Sequence, residues 1–191
     1  MDRRILLLVT DLEIGGTPTV VRELAIRLND PPRVRVEVAC LGKWGPVADQ
    51  LRDAGVEVTV LGAAGVRDVG VVWRFIRLVR DHQVDTVFSF LIHANVVAAF
   101  ASVFLRQLRF IQSIQTTQPR PRWHWKLQAI AHHAAERVVV PSDSVARVAR
   151  EWADVPANKI VVIPNAVDVE VFCGMGVSPV HSWLEPQAHG R

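Results

Sequence analysis

Two hydrophobic patterns alternate along this chain. Short, continuously apolar runs, with cores such as ILLLV, VFSF, VVV and IVVI, are separated by segments whose apolar residues recur every three or four positions. The runs predict strands at 5–10, 34–40, 56–61, 84–89, 110–115, 137–141 and 160–163. Runs that do not alternate with polar residues fit strands covered on both faces, as in a parallel sheet. The periodic segments predict helices over 18–28, 47–54, 69–82, 95–105, 123–135 and 143–152. Their expected inward stripes are Val20, Val21, Leu24 and Leu28; Val72, Ile76 and Val79; Ala99, Val103 and Phe104; Trp123, Leu127, Ile130 and Ala134; and Val145, Val148, Ala149 and Trp152. Six such alternations closing on a seventh strand give an α/β fold: a Rossmann-like, doubly wound parallel sheet of about seven strands with helices on both faces.

Residues 1–172 are expected to form one domain. The last 19 residues, CGMGVSPVHSWLEPQAHGR, show neither period and are expected to form an irregular tail. Composition narrows the class further. With 50% hydrophobic and 21% charged residues in 191, disorder, collagen and coiled coil are excluded. Cys40 and Cys173 make no disulfide framework, which points to a reducing compartment and a cytoplasmic setting. The apolar run after the basic head MDRR stops at Asp11, short of a secretory or membrane-spanning segment. A net charge of +3 is too small to argue for nucleic acid.

In an open parallel sheet, ligands bind beyond the carboxyl ends of the strands, and four loops there carry unusual residues. DLEIGGTPT has Gly15 and Gly16, which allow close backbone approach, then Thr17 as an expected N-cap and Pro18 in the first turn. The amides of Thr19 and Val20 are then expected to be open to an anion or a sugar hydroxyl; a tight turn with no ligand explains the same residues. It is not a dinucleotide fingerprint, which needs G-x-G-x-x-G. FLIHAN places His93 and Asn95 at the second edge. His93 suits a hydrogen bond to a substrate hydroxyl or a base, while helix capping by Ser89, His93 or Asn95 accounts for them equally.

QSIQTTQPRPRWHWK brings Gln115, Thr116, Thr117 and Gln118, then Arg120, Arg122, His124 and Lys126. A helical wheel puts Trp123 inward and Trp125 outward with His132. Arg122, Trp125 and Lys126 would then suit peripheral contact with the inner membrane face, an acceptor lipid or a facing domain. Base stacking and a plain solvated face also fit. In VVVPSDS, Ser142 or Asp143 is expected to cap the following helix. Neither the adjacent His132 and His133 nor either cysteine has metal-ligand spacing, so no metal is expected.

The order of these motifs resembles that of family-four glycosyltransferases of the GT-B type. The carriers are ILLLVTDLEIGGTPTVVRELAIRL, LIHANVVAAFAS, RVVVPSDSVARVARE and VPANKIVVIPNAVDVEVF, the last similar to I-P-N-G-V-D-x-x-x-F; together they cover 4–172. The resemblance implies a nucleotide-sugar-dependent, usually retaining transferase with two Rossmann-like domains, the first receiving a glycan or lipid acceptor. The nucleotide sugar would be a co-substrate, with no permanently bound cofactor and no metal. Gly15, Gly16 and Thr17 would approach the substrates, His93, Asn95, Gln115, Thr116 and Ser142 would line the cleft, and Pro164, Asn165 and Asp168 would form the interdomain hinge. The sequence departs from the pattern in three places. Gln115 and Thr116 stand where many members have a histidine, so no catalytic base is assigned. Ala166 replaces the usual hinge glycine, and the donor-binding domain has no counterpart. The chain is therefore expected to be an acceptor-side half, either truncated or completed by a donor-domain polypeptide in trans, with an uncovered cleft face that favours self-association. The competing reading is a non-catalytic Rossmann-like module that binds a sugar, a lipid headgroup or a partner protein.

Overall fold

The computed structural model describes residues 3–65, 68–118 and 120–165. The expected tail, 173–191, lies outside them. The described residues form seven parallel strands: β1 (Arg3–Val9), β2 (Val34–Cys40), β3 (Glu57–Val60), β4 (Thr86–Phe90), β5 (Arg109–Ser113), β6 (Arg137–Val140) and β7 (Ile160–Val162). They make one sheet in the order β3-β2-β1-β4-β5-β6-β7. β1 is the most apolar strand, and Leu6 to Val9 are fully buried at the centre. Its end, Val9, pairs with Cys40 on one side and Phe90 on the other. The chain winds outward from β1 in one direction and then, from β4, in the other. The order therefore reverses between β1 and β4, where the loops diverge and leave a crevice.

Six helices connect the strands: α1 (Gly16–Leu28), α2 (Pro46–Asp53), α3 (Gly70–Asp81), α4 (Ile92–Ser102), α5 (Arg122–Ala134) and α6 (Asp143–Ala153). α1 and α2 cover one side, packing Val21, Ala25, Val47 and Leu51 on Leu7 and Val9. α3 and α4 cover the other, packing Phe75, Ala94 and Ala98 on Leu6 and Leu8. α6 and the inner side of α5 complete that second layer over β6, through Trp125, Val145 and Ala149 against Val138 and Val140. No described helix is long and apolar enough to cross a membrane.

Strand positions agree with the apolar runs to within two residues, but several helix faces differ. α1 buries Pro18, Val21 and Ala25 and leaves Leu28 exposed. Small residues at the contact let the helix lie close to the sheet. α4 begins three residues earlier than expected and buries Ala94, Asn95, Val97, Ala98 and Ala101, while Val103 and Phe104 lie beyond its end and are exposed. α5 is rotated: Trp125, Gln128, Ala131 and His132 face inward, and Trp123 and Ile130 face outward. α6 buries Val145, Ala149 and Ala153 and leaves Trp152 exposed. Ser142 caps α6 as expected, its hydroxyl accepting the Val145 amide at 3.4 Å.

Candidate functional site

A groove of about 440 Å³ opens at the carboxyl edge of the sheet, where the strand order reverses. Four successive loops build it: Thr10 after β1, Leu41 and Gly42 after β2, Ala63, Gly65 and Asp68 after β3, and His93 at the start of α4. Trp123 and Leu127 of α5 close the far side. The lining is mostly apolar with a few polar groups, the composition of a site for an organic ligand.

The backbone aims His93 into this groove. Leu91, between β4 and α4, has φ 69° and ψ 157°, a conformation that costs a non-glycine residue about 1–3 kcal/mol. That turn starts α4 with no side-chain cap, so the expected caps Ser89, His93 and Asn95 are not used as caps. His93 is half-buried, and its ring lies 6.3 Å edge-on from that of His124. Burial first, and the neighbouring His124 second, hold the His93 pKa below the usual imidazole range. The neutral imidazole that results accepts a proton from a hydroxyl. Thr10 is a second polar residue of the lining, and its Oγ1 is buried without a hydrogen-bond partner among the described residues. Asp68, by contrast, is occupied: it accepts the Ala64 amide at 3.0 Å and Arg74 at 2.6 Å, which lowers its pKa.

Asn95 has a different role from the one expected. It is fully buried beneath the groove, and its carboxamide joins three elements. Ser89 Oγ donates to Asn95 Oδ1 at 2.6 Å, and Asn95 Nδ2 donates to the Ser113 carbonyl and to Gln128 Oε1, both at 2.9 Å. Gln112 Nε2 also donates to Gln128 Oε1, at 2.5 Å. This network explains the rotation of α5: Gln128 must face inward to meet Asn95 and Gln112, and Trp125 turns inward with it.

The glycine loop also differs from expectation. α1 starts at Gly16 with Gly15 as N-cap, so Thr17 sits inside the first turn. The Thr19 amide is committed to the Gly15 carbonyl at 3.1 Å, and its hydroxyl donates to the same oxygen at 2.8 Å. The open amides of the first turn are therefore those of Gly16 and Thr17, since Pro18 has none. Gly15 has φ −178°, ordinary extended backbone. A Cβ on Gly16 would meet nothing within 4 Å. The fold itself thus does not require glycine at Gly16. It does at Gly45, where a Cβ would stand 2.5 Å from the Leu12 carbonyl oxygen. No sequence motif marks Thr10, Gly45, Gln112 or Gln128; a glycine directly before Pro46 was the one available signal.

Gln115 donates through Nε2 to Ser113 Oγ at 2.6 Å and accepts from Asn165 Nδ2 at 3.1 Å. The end of β5 is thereby linked to the segment after β7. Thr116 Oγ1 accepts the Gln118 amide at 3.1 Å, and Trp125 Nε1 donates to the Gln118 carbonyl at 2.9 Å, which fixes the loop onto α5. Pro164 and Asn165 are exposed; Asp168 lies outside the described residues. Gly15, Gly16, Thr17, Gln115, Thr116 and Ser142 do not line the groove. Arg122 and Lys126 are exposed, but Trp125, grouped with them in the sequence, is buried.

Two other chemistry-bearing groups lie apart. The Cys40 thiol is buried, which pushes its pKa up to about 11 and makes it unreactive. Glu37, Glu57 and His82, unrelated by spacing in the sequence, come within 4.8 Å of one another where β2 and β3 meet the end of α3. The buried Glu37 carboxylate is already met by His82 Nδ1 at 2.5 Å.

The family-four resemblance meets its decisive comparison here. The sequence profile of Glycosyltransferase Family 4 matches residues 14–171. The chain belongs to that family. No curated protein matches it. Among solved structures, HepE of Anabaena in complex with UDP and glucose superposes with TM-score 0.76 at 20% identity, over 89% of this chain and 46% of HepE. A glycosyltransferase from Rickettsia africae gives TM-score 0.71 at 18% identity, over 93% of this chain and 47% of that one. A UDP-GlcNAc 2-epimerase from Neisseria meningitidis bound to UDP-GlcNAc gives 0.62 at 13% identity, over 85% and 46%. Likenesses at such identities establish the fold, which serves epimerisation as well as transfer. The family-four chain spans about half the length of these proteins.

Proposed function

We propose that this family-four chain is the acceptor-side lobe of a nucleotide-sugar-dependent glycosyltransferase, and that its groove receives a glycan or lipid acceptor. One observation carries the reading. The family match covers β2 to β7 with the loops between them, and a groove lined by the ends of four successive strands sits at the reversal of strand order, with His93, whose pKa burial lowers, in its wall.

In the proposed reaction an acceptor hydroxyl attacks the anomeric carbon of the donor sugar, the bond from that carbon to the diphosphate oxygen breaks, and the hydroxyl proton passes to the departing diphosphate. His93 and Thr10 would hydrogen-bond the acceptor and fix the orientation of its hydroxyl. The Gly16 and Thr17 amides at the start of α1 would meet negative charge as the diphosphate leaves, with Gly15 and Gly16 allowing close approach. Donor recognition belongs to a second lobe, whether it follows in the chain or comes as a separate polypeptide. The Gln115–Asn165 contact, with Pro164 and Asp168, would set the angle at which the lobes meet. Ser142 stays a helix cap. The retaining outcome follows the family resemblance and is part of the proposal, as are the nucleotide sugar as co-substrate and the absence of a resident cofactor.

Ligand-detected NMR on the 191-residue chain tests the groove. Acceptor-like saccharides and alkyl glycosides should show saturation transfer that falls about tenfold in His93→Ala or Thr10→Val, while UDP-glucose binds more weakly than either. Tight UDP-glucose binding that is indifferent to His93 would overturn the acceptor-side assignment.

A further inference from the structure

The outer face of α3, α4 and α5, beside the groove, has no role in that chemistry. Six large apolar side chains stand out of it: Trp73, Phe100, Val103, Phe104, Trp123 and Ile130, each between 50% and 70% exposed. Trp73 and Phe104 stack on each other with ring centroids 5.2 Å apart. The groove described above continues across this face into a second of about 200 Å³, the two sharing Val96, Phe100 and Leu127. Isolated apolar residues on a surface are ordinary; a continuous patch of this kind marks an interaction site.

Charge identifies the partner. From Thr86 to Ala135 the chain has no aspartate or glutamate, yet it carries Arg106, Arg120, Arg122 and Lys126, besides Arg109, which Glu136 pairs at 3.0 Å. Arg80 of α3 reaches the Phe104 carbonyl at 3.4 Å, which puts its guanidinium at the edge of the patch. The nearby acids of α3 and its approach are neutralised: Asp81 pairs with Arg77 at 3.4 Å and Asp68 with Arg74 at 2.6 Å. A second copy of this chain would bring cation against cation. An apolar, aromatic face edged by unopposed cations matches the boundary between headgroups and acyl chains of an anionic bilayer.

We propose that this face docks the protein on an anionic lipid bilayer, with Trp73, Phe100 and Trp123 entering the acyl boundary and Arg80, Arg106 and Lys126 meeting the phosphates. The outward tryptophan is thus Trp123 and not Trp125. Phe100 and Trp123 also line the acceptor groove, so the docking shares side chains with the proposed acceptor site, and partition onto vesicles measured without any acceptor tests the docking by itself.

The test is co-sedimentation of the 191-residue protein with vesicles of phosphatidylcholine alone or with about 30 mol% phosphatidylglycerol. At least tenfold greater partition into the anionic vesicles is expected, falling several-fold on raising salt from about 0.05 to 0.5 M. The double variant Arg106→Glu, Lys126→Glu, which touches no core residue, should lower that partition at least tenfold. Phe100→Ser with Trp123→Ser should weaken it at both salt concentrations, with circular dichroism confirming the fold. Equal or absent partition, or an unchanged charge-reversal variant, would overturn the proposal. So would a concentration-dependent dimer abolished by Phe100→Ser with Trp123→Ser, because a second copy would then be what covers the face.

Discussion

Two glycines separate what the fold needs from what a ligand needs. At Gly45 an added Cβ would press on the backbone of Leu12, so Gly45→Ala should destabilise the protein by about 1–3 kcal/mol, read from urea unfolding. At Gly16 the same change meets open space. Gly16→Ala should leave the melting temperature within a degree or two or raise it slightly, while weakening any ligand that approaches the start of α1. Asn95 is the clearest structural residue of the site. Asn95→Ala would leave the Ser89 hydroxyl without its acceptor and take a donor from the Ser113 carbonyl and from Gln128 Oε1, at a cost of about 3 kcal/mol. His93→Ala touches only the half-buried wall of the groove and should cost far less stability while removing the neutral imidazole.

At the scale of elements, the apolar runs located every strand because a buried parallel strand needs continuous hydrophobicity, and such runs are visible without knowing their neighbours. Helix faces were less legible. In α5, Trp123, Leu127 and Ile130 make a better apolar stripe than Trp125, Gln128 and His132, yet the second set is inside. The deciding partners of Gln128 are Asn95 and Gln112, on other elements and distant in sequence. The same reason hid Thr10, whose place in the groove depends on three other loops. His93 and His124 were legible as polar residues beyond strand ends, though not as neighbours, whereas Trp123 was expected to face inward.

The end of α5 has its own device. Lys159, in the short 3-10 turn Ala157–Lys159 before β7, donates to the carbonyls of His132 at 3.0 Å and Ala135 at 2.9 Å. A cation on the open carbonyls of a helix end is stabilising, and Lys159→Met should cost about 1–2 kcal/mol in chemical denaturation. His132, buried there with neither ring nitrogen bonded, has its pKa lowered by burial, then by His133 and Lys159. A lowered pKa means that the unfolded chain binds more protons than the folded one between the folded value and the ordinary value near 6.5. Stability should therefore decline as pH falls below about 6.5. His132→Phe should remove part of that decline, measured as the urea midpoint against pH.

The described residues form a seven-stranded sheet with a crevice at the reversal of strand order, and the chain covers about half the length of the solved proteins that share its fold. Placing the crevice took the strand order, which the α/β alternation narrowed to a doubly wound sheet without specifying. Assigning chemistry to it took the family match over residues 14–171. In the proposed reading this lobe holds the acceptor, and a second lobe grips the nucleotide and stabilises its departure. The most direct measurement is nucleotide release by the purified 191-residue chain from a panel of UDP- and GDP-sugars, with candidate glycan and lipid acceptors present. Release no faster than in a protein-free blank is expected, despite acceptor binding to the groove. Sustained release that scales with protein concentration and vanishes in His93→Ala would show a complete active site within these residues and contradict the one-lobe account.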